Sequence, residues 1–155
     1  MKHYLQLCLN LNVNLSRFYN KFYKSLDNIV YTRKIIPDQP NEIESGNREY
    51  KKTLNFECYN QLRIKNTLEK KTTQMIFRLN EGCGKAIYII GIDDDGHSHG
   101  IGFLELLKSL YYFKKIVKQA NANYSKIRIY SGNRGYLATI RLNKPFVNLR
   151  LLLTI

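Results

Sequence analysis

The sequence predicts an α+β fold, a mixed β-sheet with two helices packed on one of its faces. Three observations carry that expectation. Residues 61–80 and 103–121 repeat apolar side chains at the three- and four-residue steps of a helix. Between them lies an unbroken apolar run, Ala86-Ile87-Tyr88-Ile89-Ile90-Gly91-Ile92, which suits an internal strand covered on both faces. Two further segments, 124–130 and 136–142, read as strands joined at Ser131-Gly132-Asn133-Arg134-Gly135. The expected order is strand, helix, hairpin, helix, strand, strand, and helices gathered on one side of such a sheet make a two-layer sandwich.

Taken in order, residues 1–36 read as an N-terminal extension. Leu5, Leu7, Leu9, Leu11, Val13 and Leu15 alternate with polar side chains. That pattern favours a half-buried strand over the continuous apolar core of a secretion signal. Phe18, Phe22 and Leu26 then share a helical face. Pro37-Asp38-Gln39-Pro40 cannot continue a helix and opens a linker over residues 37–48. The α+β domain is placed at 49–142, and its first residues, 49–56, can pair as a strand.

In the first helix Ile64, Leu68, Met75 and Leu79 line one face and Thr72 fills the gap. Arg63, Lys70, Lys71 and Arg78 are expected on the remainder. Gly82 and Gly84 stop it, as C-terminal glycines do. Three aspartates and Gly96 then turn the chain into a short return segment. In the second helix Leu106, Leu110, Phe113, Val117 and Ala120 form the buried stripe, with Lys108, Lys114, Lys115 and Lys118 off it. In 124–130, Ser125, Ile127 and Ile129 are expected on one side, Tyr124, Lys126, Arg128 and Tyr130 on the other.

A chain of 155 residues with 44% apolar content can bury a core of its own. No run approaches the length of a bilayer span, so the expectation is a cytoplasmic protein, neither secreted nor membrane-spanning. Cys8, Cys58 and Cys83 are odd in number and form no CxxC, which favours reduced thiols over a disulfide frame or zinc site. The charge is informative because it is lopsided. All twelve acids lie at or before Glu105, whereas residues 106–155 hold ten Lys and Arg of the +13 chain. Such a field attracts polyanions, with RNA the expected partner.

Three groups of residues could carry function. Tyr124, Lys126, Arg128 and Tyr130 set two rings and two cations on one strand face, an arrangement that stacks unpaired bases and holds phosphates. Lys114, Lys115, Lys118 and Arg134 would extend it. The plainer alternative is a solvent edge covered by long stems. Asp93, Asp95, His97 and His99 concentrate metal ligands, although aspartate and glycine are also what a hairpin turn wants. Gly82-Cys83-Gly84-Lys85 is a poor phosphate loop, because Ala86 replaces the hydroxyl residue and the glycines lie between helix and strand, the reverse of the required order.

Three pieces in one order and spacing resemble a known family: Glu44 to Lys51 (ESGNREYK), Thr73 to Gly82, and Lys85-Ala86-Ile87-Tyr88 through Gly91-Ile92-Asp93-Asp94-Asp95-Gly96. Together they are similar to the N-terminal domain of the GTP-binding protein one and two group, translational GTPases related to elongation factor Tu. The resemblance implies GTP and magnesium as cofactors of full-length relatives, and RNA or the ribosome as partner. Residues 143–155 look like the first strand of the family's GTPase domain, and the phosphate loop would come next. No GTP-site residue therefore carries over, no cofactor is expected in this chain, and the missing domain becomes a possible partner in trans. A decayed remnant is a further reading. A weaker similarity links the same strand-helix-strand segment to the Schlafen core, or AlbA-like, domain. It implies a metal-dependent ribonuclease using Glu44, Glu49 and Asp93 around a divalent ion.

Overall fold

The computed structural model describes residues 28–145. The alternating segment 5–15, the Phe18–Phe22–Leu26 face and residues 146–155 lie outside the described residues. In chain order the elements are β1 (Ile29–Ile35), β2 (Arg48–Lys51), α1 (Gln61–Glu81), β3 (Lys85–Ile90), α2 (Phe103–Gln119), β4 (Asn123–Ser131) and β5 (Tyr136–Asn143). The sheet order is β1-β4-β5-β3-β2. The inner pairs β4–β5 and β5–β3 are antiparallel, and each outer strand runs parallel to its neighbour. This is the mixed sheet with two helices that the periodicity predicts.

Three details differ from expectation. Strand β2 ends at Lys51, short of the 49–56 expected. Strand β1 comes from the segment expected to be extension. Among the described strands it stands at the end of the sheet, beside β4 alone; Val30 and Ile35 are exposed and its sequence carries no unbroken apolar run. The return segment after the aspartates is a loop, not a strand; among the described residues its one isolated bridge to the sheet is Ile101 with Tyr136. Gly96 and Gly100 take φ of +87° and +82°, which bend it away from extended geometry.

The helices cover one face. Asn60 caps α1, its side chain accepting from the Arg63 N–H at 2.8 Å. Leu68, Met75 and Leu79 are buried as expected, and the Thr72 hydroxyl donates to the Leu68 carbonyl at 2.7 Å. Gly82 and Gly84 end the helix through N–H bonds to Arg78 and Leu79 carbonyls, so the GCGK stretch is a helix stop leading into β3. From α2, Leu106, Leu110 and Phe113 pack on Ala86, Tyr88, Ile127 and Ile140 of the sheet in one core. The β2–α1 loop is pinned to α2 by Glu105, which accepts from Thr53 at 2.6 Å and Asn55 at 3.0 Å.

The opposite face is divided. Tyr50, Ile89, Ile92 and Leu137 form a second, smaller core there. Strand β3 is therefore buried on both sides, as its composition demands. The linker lies beside this core: the Tyr50 hydroxyl donates to the Pro40 carbonyl at 2.9 Å, Gln39 N–H to Gly96 O at 2.8 Å, and Glu42 N–H to Asp94 O at 2.7 Å. Gly96 is the tightest point. A Cβ there would sit 1.9 Å from the Gln39 carbonyl oxygen, on a backbone at φ +87°. Gly96→Ala is expected to destabilise the fold by about 2 kcal/mol or more, from left-handed strain plus displacement of the linker. A urea titration checks it; a midpoint equal to the parent's would show that the linker does not grip this loop.

Candidate nucleic-acid interface

The half of the sheet that the linker leaves uncovered is basic. Its geometry follows from strand register. Arg128 on β4 stands opposite Thr139 on β5, and Arg141 on β5 stands opposite Ile87, whose other neighbour is Arg48 on β2. Alternation sends Ile127, Ile129, Ile140 and Leu142 into the helix-side core and leaves Arg128, Arg141 and Arg48 exposed on the other side. Arg128 and Arg141, with Lys126 and the half-buried Tyr130, line a groove of about 390 Å³; Arg48 lies on the same face outside it. Among the described residues, none of Arg48, Lys126, Arg128 and Arg141 pairs with a carboxylate.

Tyr124 does not share this face. Between Tyr124 and Ile127 the register shifts: β4 takes three steps where β5 takes two, from Leu142 to Ile140. The extra residue is a β-bulge. It puts Tyr124 on the helix side, packed against the main core, and leaves both Ser125 and Lys126 exposed. Three of the four expected contact residues thus remain together. Lys114 and Lys118 of α2 join Tyr124 in a separate groove of about 300 Å³. Lys115 lies 4.8 Å from the Tyr111 ring centre and lines none of these grooves. Arg134 is exposed in the β4–β5 turn, where its N–H bonds the His99 carbonyl at 2.9 Å.

A third groove, about 560 Å³, lies at the end of the sheet beside Lys85, Asn123, Tyr124, Arg141 and Asn143. It shares Ser125 and Arg141 with the open-face groove and Asn123 and Tyr124 with the α2 groove. Lys85, Lys114, Lys118, Lys126, Arg128 and Arg141 line the set, with no carboxylate among the described lining residues. The places of Arg141, Arg48 and Lys85 on this basic surface were not legible in the sequence. The available signal was the exposed alternation of β5, Thr139 and Arg141 between buried neighbours.

The carboxylates expected to form a nuclease centre have separate surroundings. Strand alternation turns Glu49 towards the helices, where it is fully buried. Arg78 Nε donates to its Oε2 at 2.5 Å, and Lys51 lies against its Oε1. Arg78 lies three residues after Met75, on the buried stripe of α1 and not on the polar remainder. Its Nη1 faces the carbonyls of Ile43, Glu44, Ser45 and Gly46 at 3.0–3.1 Å, holding that strap over the end of β2. Glu42 completes the network, 3.5 Å from Arg78 Nη2. Burial raises its pKa above the ordinary value, against the pull of the Tyr50 N–H that it accepts. Glu44 itself is exposed, and Asp93 pairs with Lys52 at 3.4 Å.

The Asp-His loop ties the linker down. Asp38 accepts from the Ser98 N–H at 2.9 Å and hydroxyl at 3.0 Å, and its other oxygen meets His97 Nδ1 at 3.3 Å. Those bonds, Ser98's first, hold the Asp38 carboxyl below its ordinary pKa. Asp95 accepts the His97 N–H, and the His97 and His99 rings stack at 5.5 Å. Among the described residues no three His, Cys, Asp or Glu side chains gather as a metal ion would need. Cys58 and Cys83 are free and exposed, and no described helix is long and apolar enough to cross a membrane.

Known proteins give a partial match. The chain is 36% identical over 93 residues to GTP-binding protein 2 of human and of mouse, covering 59% of this chain and 14% of each relative. It is 35% identical over 108 residues to an uncharacterized protein of Acanthamoeba polyphaga mimivirus, covering 67% of this chain and 55% of that one. The chain thus shares a related stretch with GTP-binding protein 2 and spans a small part of its length. Neither a family model nor a solved structure matches it.

Proposed function

We propose that this chain is an RNA- or ribosome-contacting module, related to a stretch of GTP-binding protein 2 and equivalent to the N-terminal domain of an elongation-factor-like GTP-binding protein. It makes no GTP-site contribution of its own in this reading. The carrying observation is the basic surface over β4, β5 and the α2 edge, whose lining holds no carboxylate among the described residues. Among the described residues Lys126, Arg128 and Arg141 have no carboxylate partner; cations so placed repel one another, and a polyphosphate backbone relieves that repulsion while releasing its own condensed counterions. The partial match to a GTP-binding protein supports a module attached to, or working beside, a nucleotide-driven partner.

A gel-shift titration with transfer RNA tests the reading. Affinity is expected to fall steeply as salt rises, with a log–log slope of roughly −3 to −5, one unit for each phosphate neutralised. No shift at low salt, or a shift indifferent to salt, would defeat it.

A further inference from the structure

The three grooves form a chain around the sheet. The open-face groove holds Lys126, Arg128 and Tyr130, the groove at the end of the sheet lies beside Lys85 and Arg141, and the last groove reaches Lys118 on the helix side. A ligand occupying all three must turn from one face of a sheet to the other. We propose that they make one track for a single-stranded RNA segment, running from Arg128 past Arg141 and Lys85 to Lys118. This deepens the RNA-contacting reading and rests on it.

The path decides between strand types. Duplex DNA is stiff over about 150 base pairs, and a duplex of such stiffness pays a bending cost to turn around the end of one small domain that a single strand does not. A single strand bends at every nucleotide and exposes the ring faces of its bases. The track offers a ring at two places, Tyr130 on the open face and Tyr124 where the end and α2 grooves meet. The bulge that removes Tyr124 from the open face is what brings it to that second position. Without it, both rings would lie on one flat surface and the helix-side groove would have none. Cations at intervals with intervening tyrosines match a backbone that is held by charge while its bases stack.

Fluorescence anisotropy with the whole chain tests the track. The probes are a single-stranded RNA of about twelve nucleotides, a duplex of the same sequence, a four-nucleotide strand, and inorganic polyphosphate of matched charge. The twelve-nucleotide strand is expected to bind about tenfold more tightly than the duplex or polyphosphate. Lys118→Ala, an exposed change at the far end of the track, should weaken the long strand about threefold and leave the four-nucleotide strand unchanged. Equal affinity for strand and duplex, or equal weakening of both strand lengths, overturns the track while RNA binding stands. Polyphosphate binding as tight as the long strand removes any role for bases and overturns it too. Absence of binding to every RNA would bring down both the track and the reading beneath it.

Discussion

Arg78→Ala is expected to destabilise the protein by about 3–5 kcal/mol, a large fraction of a small domain's total stability. Glu49 is fully buried, and Arg78 Nε is its 2.5 Å donor. Removing the guanidinium strands a carboxylate in the helix–sheet interface and frees the four carbonyls of the 43–46 strap that Nη1 faces. Lys51 stays against the other Glu49 oxygen and keeps the loss nearer the lower figure. Arg78→Lys should recover little, since a point charge cannot reach carboxylate and strap together as the planar fork does. The double variant Arg78→Met, Glu49→Leu should be more stable than Arg78→Ala, because the fully buried carboxylate is removed with its partner and the charges that lose a partner, Lys51 and Glu42, are part-exposed. Urea denaturation measures all three. Limited proteolysis supplies a local readout, with cleavage expected to move to residues 43–46 in Arg78→Ala. A loss below about 1 kcal/mol would mean that the pair is dispensable and the strap is held by other contacts.

That ion pair also marks where sequence reading reaches its limit. Periodicity located both helices, β3, β4 and β5 within a residue or two, because each carries a repeat that a single face must bury. It could not locate β1, whose Val30 and Ile35 stay exposed and whose sequence repeats on neither face. Arg78 falls on a helical stripe by spacing, yet a charged residue there is read as polar surface unless its partner is known. Glu49, 29 residues earlier, is that partner, and only the β2–β3 register sets it beneath α1. The single-residue bulge in β4 is equally silent in the sequence, and it moves Tyr124 to the opposite side of the sheet from Arg128. Charge asymmetry pointed to the correct third of the chain for an all-basic surface. It could not add Arg48 or Lys85, which reach that surface from β2 and β3.

Reversing two charges on that surface should have the largest functional effect. Arg128→Glu with Arg141→Glu is expected to weaken RNA binding about a hundredfold or more and to lower the salt slope by about 2. Both side chains are exposed, belong to neighbouring strands and line the same groove, so each replacement removes a phosphate partner and adds a repulsive carboxylate. Neither takes part in an ion pair among the described residues, so thermal stability should stay within about 0.5 kcal/mol of the parent. A matched control separates groove geometry from net charge. Lys115→Glu alters an exposed cation on α2 that lines none of the grooves, and it should cost no more than about threefold. If the double reversal and the control lose affinity in proportion to charge alone, RNA is held by the diffuse field of a basic domain. If the double reversal loses far more per charge, the open half of the sheet is where the backbone lies. Unchanged affinity in the double variant would exclude this face and move the contact elsewhere on the chain.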